Sequence, residues 1–225
     1  MKTFVWVTAL CWLTIALDGY DLIVYGATVP TLLRDSAFGP LTPAQVGAIG
    51  SDALMGMLLG ALTVGTLTDL VGRRRVMLGC ITWFSLAMTL CALAPGPELL
   101  GLFRFLAGLG LGGVMPTASA LTLEHAPSGR KDLIYAIMFS GYSVGGMLAA
   151  GLAIALLPVY GWRVMFAVGL VGVIIVLPLV ARYLPESPSF AIARAEEMKE
   201  KPGHRDLAPL ATLFSPSNVA ATLLF

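Results

Sequence analysis

Charge is scarce in this sequence. Only 12% of its 225 residues are Asp, Glu, Lys or Arg, about half the ~25% of a water-facing globular domain. The stretches 76–97, 133–162 and 164–181 contain none, which excludes a solvated surface there. Histidine is nearly missing: His125 and His204 sit near charged loops, and no zinc site can be assembled from two such residues. Cysteine is limited to Cys11, Cys80 and Cys91. An odd count without CxxC spacing, each inside an apolar run, excludes a disulfide or metal framework and leaves small packing residues. A net charge of +1 gives no reason to expect a nucleic-acid partner.

What fills the chain instead is apolar sequence, 57% of all residues. A helix needs roughly 20 apolar residues to cross the ~30 Å hydrocarbon layer. Six such spans can be drawn, over 4–32, 43–68, 75–94, 97–122, 133–157 and 161–183. The second opens on Thr42, Pro43 and Gln45, a capping box with proline at the first helical position. Ala94 to Pro97 and Pro158 to Gly161 read as the turns after the third and fifth spans. Met1 and Lys2 before an apolar run resemble a signal peptide, but no small-x-small cleavage site follows and apolar sequence resumes at Leu22.

Eleven of the fourteen lysines and arginines fall on one side of these spans, and only Arg34 and Arg163 fall opposite. The positive-inside rule then places both ends of a six-helix unit, 1–184, in the cytoplasm of a bacterial inner membrane. Residues 185–209 mix acids and bases and read as a solvated cytoplasmic linker, with Ser187 and Pro188 able to start a short helix. Apolar sequence returns over 210–225, as the start of a seventh span in a chain expected to be incomplete.

Glycine is abundant, with 25 residues, and clusters inside spans, where it lets helix backbones approach closely. Gly56 and Gly60, and Gly141 and Gly145, have the GxxxG spacing. Pro116 is expected to kink the fourth span. Two motifs mislead. Gly141, Ser143 and Gly145 match a serine-hydrolase elbow, which needs a strand before it and Asp and His partners. Gly108, Gly110 and Gly113 resemble a dinucleotide loop, which needs a strand–turn–helix context. Both lie inside spans, so neither an enzyme nor a cofactor is expected.

The informative residues are ionisable groups within spans: Asp18 and Asp21 in the first, Asp52 in the second, Arg104 in the fourth. Each costs ~2.5–3.5 kcal/mol on insertion scales unless it faces protein or water. Asp18 and Asp21 are three apart, on one helical face. At ~1.5 Å per residue, Asp18 lies near mid-membrane and the other three in the outer half, so pairing across the bundle is feasible in depth. Three carboxylates against one guanidinium leave excess negative charge, so at least one of Asp18 and Asp21 is expected to hold a proton part of the time. Such a carboxyl is what a proton symporter needs. Structural pairing or a passive vestibule is the alternative, and for Asp52 the two stand level.

Between the second and third spans, Gly65, Leu67, Asp69, Gly72, Arg73, Arg74 and Arg75 match G-x-L-x-D-x-x-G-R-R-R. This resembles the signature loop of the major facilitator superfamily. Arg104, Gly108 and Gly110 resemble its fourth-span motif, Glu124 with Arg130 the charged end of that span, and Pro185 to Pro188 the motif after the sixth. The fifth span lacks the Gly-Pro element of the antiporters. Asp18-Gly19-Tyr20-Asp21, with the stretches Arg104 to Gly113 and Gly141 to Gly146, resembles the benzoate-type members of the aromatic acid:proton symporters. The resemblance implies an all-α membrane fold: six helices as a 3+3 inverted repeat, half of a twelve-helix transporter. It also implies proton-driven uptake of an aromatic carboxylate, with Asp18 and Asp21 coupling the proton and Arg104 holding the anion. Gly65, Asp69, Gly72, Arg73, Arg74, Glu124 and Arg130 would form a cytoplasmic gate. The partners expected are a small organic anion, a proton, the lipid bilayer and a second six-helix half. The rivals are a symporter of a dicarboxylate or sugar, an intramembrane enzyme using Ser143, and a half-protein that does not transport.

Overall fold

The structure, a computed structural model, describes residues 2–35 and 38–192, and for Lys2, Gly65, Thr66, Asp69 and Leu70 the backbone alone. Five long helices come first: α1 (Lys2–Leu32), α2 (Pro43–Val71), α3 (Arg73–Ala92), α4 (Pro97–His125) and α5 (Lys131–Tyr160). A sixth span, Trp162–Tyr183, follows. All six are long and apolar enough to cross a membrane. Residues 188–192 are helical, in accord with a start at Pro188. The rest of the linker, from 193, and the whole of 210–225 lie outside the described residues.

Local chemistry sets the boundaries. At the head of α2 the Thr42 N–H donates to Gln45 Oε1 at 2.9 Å, and the Gln45 N–H donates to Thr42 Oγ1 at 3.3 Å. That is the reciprocal pairing of a capping box. A single residue, Gly72, joins α2 to α3, and its φ of +101° is open to glycine at little cost. Gly161 does the same between α5 and the sixth span, with φ +71°.

One sequence expectation needs correction, and one span is irregular. Pro158 does not end the fifth span: α5 runs through it to Tyr160, because a missing N–H so near the helix end costs one bond and the chain turns only at Gly161. The sixth span is not one regular helix. It breaks at Val168 and runs as a π-helix over Gly172–Val176, where the Leu177 N–H reaches back to the Gly172 carbonyl. Pro178 follows at once, and its ring collides with the carbonyl four residues earlier in a regular α-turn. Widening the turn relieves that collision. Pro116 lies within α4, whose helix is unbroken from Pro97 to His125.

Packing follows the two threefold repeats. The principal seams are α2 on α4 and α1 on α5, which exchange when the first three helices are swapped for the second three. Small residues make both seams possible. A Cβ at Gly60 would fall on the Leu109 carbonyl and one at Gly108 on the Ala53 carbonyl. Across the other seam, a Cβ at Gly145 would fall on the Ala16 carbonyl. Two apolar clusters fill the interior. One gathers Val7, Cys11, Ile15, Met77, Phe84 and Leu121, and the other Tyr20, Val24, Met88, Leu100, Trp162 and Phe166. The boundary between them crosses α1 between Ile15 and Tyr20. The three cysteines are buried within these clusters. Outside, Leu58, Leu86, Met147, Ile154 and Ile174 are all exposed, an arrangement suited to lipid or a second apolar unit rather than water.

A Gly145→Val substitution drives a side chain into the Ala16 carbonyl, whereas at Gly151 nothing lies within 4 Å of the new Cβ. Unfolding in detergent micelles is expected to show a loss of about 1–3 kcal/mol for Gly145→Val and none for Gly151→Val.

Candidate functional site

At the boundary between the two clusters the structure brings α1 and α4 together through their charges. Asp18, Asp21 and Arg104 are 1%, 2% and 2% exposed, so all three are withdrawn from solvent. Arg104 Nη1 donates to both oxygens of Asp21, at 3.0 and 2.9 Å. The guanidinium carbon also stands 5.1 Å from the centre of the Tyr25 ring and 5.9 Å from that of Phe166, positions where an aromatic face stabilises a cation. These rings are fixed in turn: the Tyr25 hydroxyl donates to the Val46 carbonyl at 2.6 Å, and that of Tyr20 to the Met165 carbonyl at 2.9 Å.

The pairing is selective. Asp21 takes the guanidinium, and Asp18, one turn away on the same helix, does not. Among the described residues neither Asp18 oxygen has a hydrogen-bond partner, and neither does Arg104 Nε. One end of the guanidinium thus serves Asp21, while its Nε edge is left unspent. Gly19, between the aspartates, lies against α5, where an added Cβ would strike the Tyr142 carbonyl oxygen. Asp52 stands apart. It is half-buried, in no ion pair among the described residues, and its Oδ2 takes the space that a side chain at Gly101 would need.

The residues expected at the gate lie at the other end of the helices. Arg73, in the first turn of α3, forms an ion pair with Glu124 in the last turn of α4. Glu124 also accepts from the Ser187 hydroxyl. Glu186 Oε1 accepts from the Arg74 N–H at 2.9 Å and the Ser187 N–H at 3.0 Å, and the Arg74 guanidinium donates to the Ala181 carbonyl. Gly72 supplies the turn. Gly65 and the Asp69 backbone belong to α2, and the Asp69 side chain lies outside the description. Arg130 caps α5 and is exposed, without an ion pair among the described residues. Glu186 and Ser187 were quoted in the motif after the sixth span but were not expected at the gate. Asp35 was missed altogether: it accepts from Arg163 at 2.8 Å and from the Trp162 indole at 2.7 Å, tying the segment after α1 to the start of the sixth span. Its place beside Arg34 and on the same side of the spans as Arg163 was the signal available.

An all-helical membrane unit that buries a guanidinium–carboxylate pair beside an unsatisfied carboxyl has the build of a membrane transporter. The chain belongs to the Major Facilitator Superfamily, whose family model matches residues 11–225. Its relatives include a benzoate transport protein of Acinetobacter baylyi, 42% identical over 203 residues, covering 88% of this chain and 43% of the relative. A gentisate transporter of Corynebacterium glutamicum is 38% identical over 200 residues, covering 88% and 44%. A gallate transporter of Pseudomonas putida is 35% identical over 207 residues, covering 92% and 44%. Among solved structures, the xylose transporter XylE from E. coli, in a partially occluded inward open conformation, superposes with a TM-score of 0.76 at 21% identity, over 99% of this chain and 57% of that one. A bacterial homolog of the lysosomal transporter Spinster gives 0.72 at 21% identity, over 84% and 44%. At such identities the likeness shows the fold alone. The chain spans about half the length of the curated relatives it matches, as the six-helix half of a twelve-helix fold should.

The selective pairing separates the two aspartates in a stability measurement. Asp21→Asn leaves a buried guanidinium without its counter-ion, and a loss of about 3–5 kcal/mol is expected. Asp18→Asn removes a charge that has no partner among the described residues, and is expected to leave stability unchanged or raised. Thermal unfolding of the two purified variants in one detergent checks the contrast.

Proposed function

We propose that this chain is one six-helix half of a proton-coupled symporter that takes up an aromatic carboxylate, benzoate or a hydroxylated relative, across a bacterial inner membrane. A second six-helix half completes its cavity, and the N-terminus lies in the cytoplasm. The observation that carries the reading is the Asp18 carboxyl, buried and unpartnered one turn from a closed Asp21–Arg104 pair.

The mechanism follows from charge. An ionised carboxylate with neither hydrogen bond nor counter-ion is a costly occupant of a low-dielectric interior, and a proton on Asp18 removes that cost. Arg104 has its Nε edge to offer, and guanidinium binds a carboxylate best through two parallel donors. With Asp21 on one end and the substrate carboxylate on the other, the cation is already over-compensated. A further ionised Asp18 nearby would repel the incoming anion. Proton and anion therefore favour each other's binding, which is the coupling a symporter requires. The substrate class is supported by the relatives, which are benzoate, gentisate and gallate transporters. The Arg73–Glu124 pair, with Ser187, Glu186 and Arg74, is a cytoplasmic latch in this scheme: it ties α3, α4 and the segment after the sixth span while that side is closed.

The test is uptake by the full-length gene product in proteoliposomes. Wild type is expected to concentrate benzoate when the outside is made acidic and to stop when a protonophore is added. Asp18→Asn is expected to lose accumulation at least about tenfold while still exchanging labelled for unlabelled benzoate. Accumulation by Asp18→Asn at the wild-type level under an imposed pH gradient would overturn the proton role. Succinate or xylose competing better than benzoate would overturn the substrate class.

A further inference from the structure

One recess in the structure lies apart from the charged site. It is a cavity of about 230 Å³ between the end of α1, the end of α5 and the start of the sixth span, lined by Thr31, Arg34, Asp35, Tyr160, Trp162 and Arg163. With the N-terminus in the cytoplasm, it opens on the outer surface. Arg34 and Arg163 are the two bases that the sequence places outside the spans on that side. The positive-inside rule gives neither a task there, yet both line the same cavity.

The two cations are held differently. Arg163 Nη1 donates to Asp35 Oδ2 at 2.8 Å, and its guanidinium carbon stands 4.4 Å from the centre of the Trp162 ring and 5.6 Å from that of Phe38. Asp35 Oδ2 also accepts from the Trp162 indole at 2.7 Å, so the one carboxylate in the wall is engaged by groups of the wall itself. The Arg163 side chain nevertheless stays 41% exposed. Arg34 is exposed, with neither ion pair nor hydrogen bond among the described residues. Two guanidinium groups against one carboxylate leave the recess net positive. Tyr160, 67% exposed, adds an aromatic wall. On the inner side, Trp162 meets Phe166 edge-on with 5.9 Å between centroids, and the Phe166 ring lies 5.9 Å from the Arg104 guanidinium carbon. Two rings separate the recess from the buried cation.

We propose that this recess is an outer docking site for a carboxylate, with Arg34 and Arg163 as its cations. This rests on the aromatic-acid uptake proposed above and adds where the acid is first held. The size suits a one-ring acid, since sites for drug-sized ligands run to about 300–1,000 Å³. The planar forks of the two arginines match a carboxylate. Arg104 cannot do this work from its own place: it is 2% exposed and already neutralised by Asp21, so it exerts little pull on an anion in bulk water. A cleft lined by one sign of charge does exert it, and raises on-rates by about 10- to 1,000-fold. One spare charge on an open wall argues for the low end of that range.

The experiment measures initial rates of benzoate uptake by the full-length gene product in proteoliposomes at two ionic strengths, about 0.01 M and about 1 M, between which the Debye length falls from about 30 to about 3 Å. In wild type, KM is expected to rise about 3- to 10-fold with salt, near the low end of electrostatic steering. Arg34→Gln is expected to show the raised KM already at low salt, to lose most of the salt response, and to change the maximal rate less than KM. Arg34→Lys keeps the charge and is expected to keep most of the salt response. A wild-type KM and salt response in Arg34→Gln overturns the docking site and leaves the transport reading standing. An Arg34→Gln effect that vanishes when phosphatidylglycerol is left out of the vesicles assigns the recess to a lipid phosphate, and overturns it as well. Wild type that takes up no benzoate sinks both.

Discussion

A guanidinium withdrawn from water must be neutralised where it stands, and much of the bundle is arranged around that need. Arg104 on α4 finds its counter-ion on α1, whose neighbour in the packing is α5 rather than α4's own main partner, α2. Bringing the two charges within 3 Å thus holds together helices from both repeats. The glycine seams make this approach possible, because a branched residue at Gly145 or Gly108 would hold the backbones apart. Tyr25 and Phe166 then set their rings beside the cation. Pair, seams and rings form one solution to a single electrostatic constraint.

Within that solution the two aspartates have different surroundings because of where they lie in the turn, not because of their chemistry. Asp21 is paired with Arg104, while Asp18 has no partner among the described residues. A site in which every charge is balanced has no reason to take up a proton or an anion. One that keeps a carboxyl and one edge of a guanidinium unspent does. The charged cluster at the far end has the opposite character: Glu124 and Glu186 each gather more than one donor, in a partly exposed position.

Much of this was legible in the sequence for reasons that can be named. The spans follow from uncharged length, the α2 start from Thr42 and Gln45, and the charged site from the oddity of Asp18, Asp21 and Arg104 in apolar surroundings. Spacing put both aspartates on one face, and depth made a partner on α4 feasible. What could not be read was which aspartate Arg104 would choose, since residues three apart present nearly the same face and the choice depends on helix rotation. Pro178 announced an irregularity without saying whether the helix would kink or widen. Glu186 was recognised in a motif, but its reach to Arg74 crosses 112 positions and depends on tertiary structure.

Gly72 and Gly161 occupy corresponding places in the two repeats, each the lone residue between a second and a third helix, each at positive φ. Because the repeats run in opposite senses through the membrane, one of these joints lies at each surface. A link one residue long has only two soft torsions, so each of these helix pairs is joined with no slack in which to slide.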